Sequence, residues 1–474
     1  MLDEKDMLNK KDLAATSPPV VLRGEDGAVR EDYVERVAAA IEQRDSEALR
    51  ALAGDLHEAD LGDLIEALDP ELRPRLVGLL GRDFDFTALT EVDDAVREEI
   101  LEELPPAAVA EGVRELDSDD AVAILEDLPK EEQAEILERL PADERVELAR
   151  SLDYPENSAG RRMQTDFIAV GPQWTVGQTI DHLRETPDLP ERFWEIYVVD
   201  ADRRLQGAVA LDRLLRTKRP VAIPDLIEEE LRSVRADEDQ EEVARMFERY
   251  DLVSAPVVDE TDRLVGVITF DDIVDVIEEE AEEDIKALGG VRREEELSDS
   301  VWTIARGRFP WLFANLLTAL LASWVISQFE HSLQKMVALA VLMPIVASMG
   351  GNAGTQTMTV AVRALATQEL SSVNAWRIIR RELMVGLLNG FAFAVIMGTV
   401  AATWFNVNDL GLVIGLAIVT VLTAAALGGI LIPLILIRLG VDPAVSSGPF
   451  VTTITDVVGF FSFLGIATLW FGLR

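Results

Sequence analysis

Cysteine is absent from the 474 residues, which excludes disulfides and thiolate-held metals. Histidine is scarce: His57, His182 and His331 are the whole supply, and none has the His-Glu-x-x-His spacing of a zinc hydrolase. No P-loop occurs either, so neither a metalloprotease nor an ATP-driven pump is expected, and the chain reads as a non-enzyme. Positive charge is thin. Lys and Arg number 44 against 86 Asp and Glu, a net of −42. Nucleic acid, whose phosphates need basic side chains, is excluded as a partner; a cation fits. The N-terminus has no apolar run of the signal-peptide type, and residues 1–35 are expected to be a disordered tail.

The charge is unevenly spread. Residues 301–474 hold 9 Lys and Arg and 6 Asp and Glu, which leaves a net of −45 on residues 1–300. The first part therefore reads as a soluble acidic body and the second as a membrane domain. Five apolar stretches, roughly 309–329, 336–362, 383–405, 410–437 and 445–473, each approach or exceed the ~20 residues that a spanning helix needs. Arg306, Arg308, Arg363, Arg377, Arg380, Arg381 and Arg438 fall on one side of these spans. The positive-inside rule then places the acidic body in the cytoplasm and the C-terminus outside.

Within the last stretch, Gly448-Pro-Phe-Val-Thr-Thr-Ile-Thr-Asp456, one acid stands alone. An ionisable group at that depth is costly and marks a water-filled path or a partner. Thr452, Thr453 and Thr455 add polarity around it. A second polar island, Met349-Gly-Gly-Asn352-Ala-Gly-Thr-Gln356, interrupts the second stretch. Backbone that leaves the helix at membrane depth is tolerated where it lines a cavity, so a break is expected there. Asp456, Asn352, Gln356 and Thr452 are the candidate pore ion-binding residues. Five spans make a thin pore wall, which points to a homodimer.

The soluble body carries two repeats. Leu56, Leu68, Leu80, Val92, Leu104, Leu116, Leu128, Leu140 and Leu152 recur every 12 residues, followed mostly by Asp, Pro or Gly. Such punctuation caps or ends helices, so a stack of short helices forming an all-α superhelix is expected over 36–157. Then Tyr197–Arg213 aligns with Pro256–Asp272 at a constant offset of 59. Each copy reads as strand, turn, strand, helix, preceded by a helix at Val176–Arg184 or Gln240–Tyr250. This resembles a tandem pair of CBS domains, expected at 158–222 and 223–270. In that family a Thr/Ser-x-x-Asp element contacts ribose. Thr269 and Asp272 match it in the second copy, whereas Ala210 and Arg213 depart from it in the first. The resemblance thus makes ATP a candidate ligand at one half.

An acidic segment, 271–303, connects the body to the membrane. Its stripe of Ile273, Val274, Ile277, Ala281, Ile285 and Leu288 has helical spacing, and carboxylates fill much of the remainder. Like charges along a helix repel, and hard divalent cations relieve that repulsion.

The order of parts and the two membrane motifs together resemble the MgtE family of magnesium channels over residues 40–474. The resemblance implies a multidomain α-helical and α/β protein of the bacterial plasma membrane, with a helical N domain, a CBS pair, a long connecting plug helix and a five-span channel domain. It implies a homodimer in contact with membrane lipid. Paired Asp456 carboxylates would hold hydrated Mg2+ at the axis, the kink around Asn352 would line the pore, and Gly448 would offer a backbone carbonyl. It further implies regulatory Mg2+ ligands at Asp272, Asp275, Glu280, Glu283 and Asp284 on the plug helix and Asp239, Glu241 and Asp251 on the second CBS domain. Asp119 and Asp120 are their partners in the helical domain. A proton- or sodium-coupled carrier of divalent cations is the alternative, although carriers more often show internal membrane repeats and none is evident here.

Overall fold

The computed structural model describes residues 22–25, 27–187, 189–190, 192–227, 231–292, 295, 300–370 and 374–473. They form two compact units, Met1–Glu278 and Glu279–Arg474. Most of the expected tail, residues 1–21, and part of the expected connection, residues 293–294 and 296–299, lie outside the described residues.

The first unit begins with helices α1 (Glu31–Gln43) and α2 (Ser46–Ala53), so helix already replaces tail at residue 31. The 12-residue period then produces α3 (Glu58–Ala67), α4 (Arg73–Leu80), α5 (Asp94–Glu103), α6 (Pro106–Val113), α7 (Ser118–Glu126), α8 (Lys130–Arg139) and α9 (Ala142–Leu152). The residue after the repeating apolar position serves as helix N-cap at Asp93, Pro105, Asp117, Pro129 and Pro141. Leu68, Leu80, Leu128 and Leu140 are buried in one common core, with Leu56, Leu104, Leu116 and Leu152 packed against it. One repeat departs from the pattern. Residues 81–89 form two short 3-10 turns, because Gly81 takes φ +57 and turns the chain out of the helix.

The CBS pair follows. After α10 (Ala159–Arg162), the first copy runs β1 (Ala169–Val170), α11 (Val176–Glu185), β2 (Glu195–Val199), β3 (Leu205–Ala210) and α12 (Leu211–Arg216). The second runs β4 (Val234–Arg235), α13 (Gln240–Tyr250), β5 (Ser254–Val258), β6 (Leu264–Thr269) and α14 (Phe270–Leu288). The offset of 59 reappears as pairing register. Tyr197 faces Ala208 as Pro256 faces Val267, and the register shifts at Val198/Val199 as at Val257/Val258. The turn residues Arg203 and Asp262, also 59 apart, both take positive φ.

Each CBS core draws in residues from beyond its own copy. Ala159 and Met163 are buried with the second sheet, while Ile223 and Leu226 are buried with the first.

Helix α14 begins in the first unit. Its buried face is Ile273 and Val276, with Ala287 in a core of the second unit. Of the expected stripe, Val274, Ile277 and Ile285 are exposed, 41%, 44% and 71% respectively. The neighbouring elements set the helix rotation, and apolar spacing along a charged helix does not fix it.

The second unit contains α15 (Val301–Ser327), a short α16 (Glu330–Lys335), α17 (Val337–Ala366), α18 (Ala375–Phe405), α19 (Asn408–Arg438) and α20 (Pro443–Trp470). All but α16 are long and apolar enough to cross a bilayer. Helix α19 has the largest buried share among them, 61%; α17, α18 and α20 pack against it, and α15 packs against α20.

Candidate ion sites in the two units

In the membrane unit, the expected break at Met349–Gln356 is absent: α17 is continuous α-helix from Val337 to Ala366. The glycines serve packing instead. A Cβ on Gly350 would come 2.6 Å from Val421, and one on Gly354 would come 2.7 Å from Val451 and 3.2 Å from Thr455. Small residues at such positions let spanning helices approach closely.

Two polar rows remain on the surface of this unit. Asn352, Gln356 and Thr359 are exposed at i, i+4 and i+7 on α17. On α20, Thr452 is exposed and Asp456, one turn on, is half-buried, with Gly448 one turn before. The other threonines do not join this row. Thr455 is fully buried and donates to the Thr452 carbonyl at 3.0 Å, while Thr453 donates to the Pro449 carbonyl at 2.6 Å. Among the described residues, the side chains of Asn352, Gln356, Thr452 and Asp456 make no hydrogen bond, and the single chain does not pair Asn352 with Asp456. Thr359 extends the α17 row by one turn. The sequence reading passed over it, although its i+7 spacing from Asn352 was available.

In the first unit, α7 presents Asp119 and Asp120 to the start of α14. The Thr165 amide donates to Ser118 Oγ at 2.7 Å and docks the helical domain on the segment that enters the CBS pair. Asp119 is buried beside Asp272, and its Oδ1 has no hydrogen-bond partner. Burial first, then Asp272 and Asp120, push the Asp119 carboxyl well above the usual carboxylate range. Asp120 is pushed up to about 7 by burial and by the charges of Asp272, Asp117, Glu91 and Asp275. Loss of hydration chiefly raises half-buried Asp272 and, at the exposed edge, Asp275 as well. Glu91, exposed at the edge of this face, is raised too, by partial loss of hydration and then by the charge of Asp275. It lies in the irregular repeat next to Val92, where neither spacing nor composition singles it out.

The other expected ligands are placed elsewhere. Asp239 Oδ1 caps α13 by accepting from the Glu241 amide at 2.9 Å. Glu241 pairs with Arg245, and Asp251 is the left-handed C-cap of the same helix. Glu280, Glu283 and Asp284 lie on the part of α14 that belongs to the second unit. Among the described residues no three carboxylates or histidines are grouped closely enough to hold a metal ion directly. The Asp119 face nevertheless fits Mg2+ with its waters retained. It offers oxygen donors, an orphaned buried oxygen and unrelieved like charge, and Mg2+ dehydrates reluctantly. At the expected nucleotide site, the Thr269 amide and hydroxyl both donate to Asp272 Oδ2, at 3.2 and 2.7 Å. These two residues already satisfy each other.

Comparison with known proteins follows the same order of parts. The divalent cation transporter family matches residues 343–466, the MgtE intracellular N domain matches 56–157, and the CBS domain matches 223–279. The magnesium transporter MgtE of Bacillus subtilis (strain 168) is 32% identical over 419 residues, 88% of this chain and 93% of that protein. The magnesium transporter MgtE of Thermus thermophilus is 34% identical over 452 residues, 91% of this chain and 96% of that protein. Among solved structures, the cytosolic domain of the Mg2+ channel MgtE in complex with ATP is 32% identical over 51% of this chain and 99% of that one, with a TM-score of 0.47. With five apolar helices at its C-terminal end and near-full-length similarity to both transporters, this multi-pass membrane protein belongs to the MgtE family of transporters.

Proposed function

We propose that the protein is a homodimeric, Mg2+-selective channel for magnesium uptake, with the acidic body in the cytoplasm, and that cytoplasmic Mg2+ closes it. The observation that carries this reading is the row of Thr452 and Asp456, polar and unpartnered on the surface of a spanning helix. Lipid cannot satisfy such groups. A second copy enclosing water satisfies them, and it sets two Asp456 carboxylates across one path. Mg2+ releases its waters reluctantly, so carboxylates contacting its hydration shell select it without stripping it. The exposed apolar row of Phe270, Val274 and Ile277 on α14 supports a second copy as well.

For closure, Asp119, Asp120, Asp272, Asp275 and Glu91 would hold hydrated Mg2+ between the helical domain and the start of α14. Without the ion their charges disfavour that contact; with it the contact is stabilised, and the population shifts by the difference in ion affinity between the two arrangements. Asp239, Glu241, Asp251, Glu280, Glu283 and Asp284 would supply further carboxylates in the dimer. A weak adenine nucleotide site is assigned to the second CBS copy, where a ribose has to draw Asp272 away from Thr269; calorimetry with ATP, with and without Mg2+, tests it. The channel reading is tested by Mg2+ influx into proteoliposomes. Unimpaired uptake by Asp456→Ala overturns it.

A further inference from the structure

A cavity of about 290 Å3 opens where α17 ends and α18 begins, walled also by Ile430 of α19. It is close in size to the small end of ligand pockets, ~300 Å3. Its interior is apolar, with Ala361 and Ile378 among its walls, and Val360 is 55% exposed at its edge. Its rim is charged. Arg381 and Glu382 neutralise each other at 3.2 Å. Arg377 and Glu369 also line the cavity and have no ion-pair partner among the described residues. Trp376, next to Arg377, is 70% exposed, and exposed tryptophans at the ends of spanning helices sit at headgroup level.

We infer that this cavity seats the headgroup of a phospholipid bearing a phosphate beside a primary ammonium, with the phosphate on Arg377 and the ammonium on Glu369. The acyl chains leave past Val360 into the bilayer. Among the described residues, one cation and one anion on this rim stand without an ion-pair partner, which matches a zwitterion, and basic pockets between spanning helices are known seats for lipid phosphates. Arginine forks onto phosphate, and a carboxylate accepts from an ammonium but not from a quaternary amine, which has no N–H. The site is separate from the Asp456 row and stands whether or not that row conducts Mg2+.

The test is native mass spectrometry of delipidated full-length protein. Phosphatidylethanolamine, phosphatidylcholine and phosphatidylglycerol with identical chains are supplied together. The expected result is one saturable lipid per chain, with the ethanolamine lipid preferred about tenfold, ~1.4 kcal/mol. Arg377→Ala should lower retention of all three. Glu369→Gln should erase the preference for ethanolamine and leave overall retention intact. Val360→Trp, which narrows the mouth without touching charge, should also release the lipid, and Arg380→Ala, outside the lining, should change nothing. Soluble glycerophosphoethanolamine should not compete; if it competes as well as the lipid does, the site is a free-phosphate site and the lipid assignment fails. Retention unchanged in both Arg377→Ala and Val360→Trp, or a preference for phosphatidylglycerol in the unaltered protein, overturns the inference.

Discussion

The molecule holds acidic side chains in two opposite ways. On the face between α7 and the start of α14, Asp119 is buried, Asp120 and Asp272 are half-buried, and Asp275 and Glu91 stand exposed at its edge; loss of hydration raises each carboxyl above its ordinary value. On α20 one carboxylate, Asp456, stands without any acidic neighbour along its helix. In the proposed function the crowd of acids serves sensing: each charge makes the others costly, so the arrangement depends on what neutralises it. In the same proposal the single acid serves passage, because a lone carboxylate per chain would hold a hydrated ion weakly enough to release it. A soluble domain can carry many such groups because water screens their edges, while a spanning helix tolerates few.

That contrast can be broken at its strongest point first. Asp456→Ala should reduce Mg2+ influx into proteoliposomes by at least ~100-fold, about 2.7 kcal/mol, and Asp456→Asn should leave the pore unselective because charge, not shape, holds the ion. Next is the crowded face. Changing Asp119, Asp120, Asp272 and Asp275 together to Asn should leave uptake intact but remove its inhibition by cytoplasmic Mg2+. Without Mg2+, the variant should melt ~3–6 °C higher than the unaltered protein, at about 2–4 °C per kcal/mol.

The same face sets a pH dependence. Carboxyls whose values are raised in the folded protein contribute stability at low pH and lose it as pH rises through those values, which for Asp120 is about 7. The Mg2+-free protein should therefore be less stable at pH 8 than at pH 5, and added Mg2+ should raise its melting temperature at pH 8 far more than at pH 5. Equal Mg2+ effects at the two pH values would detach the ion from this face.

Smaller changes sharpen the comparison. Thr452→Val should lower influx about threefold, whereas Thr453→Val, whose hydroxyl is spent on the Pro449 carbonyl, should be close to neutral. Glu91→Gln should move the Mg2+ concentration for half-inhibition upward by about twofold. No shift there would place Glu91 outside the sensing face.

Much was legible in the chain itself. Hydropathy alone located five spans, because a bilayer demands long apolar runs whatever the packing. The offset of 59 fixed two CBS copies with identical register, and the 12-residue period with its Asp and Pro caps fixed most of the helical stack. These are local or periodic properties, written within one stretch of sequence. The tertiary structure decided the rest. It kept Met349–Gln356 helical by fitting Gly350 and Gly354 against Val421, Val451 and Thr455. It turned Val274 and Ile277 outward, drew residues from beyond each CBS copy into its core, and brought Glu91 toward Asp120 and Asp275. Each of these outcomes depends on a contact between residues far apart in sequence, and spacing along one segment carries no information about which distant side chain will arrive.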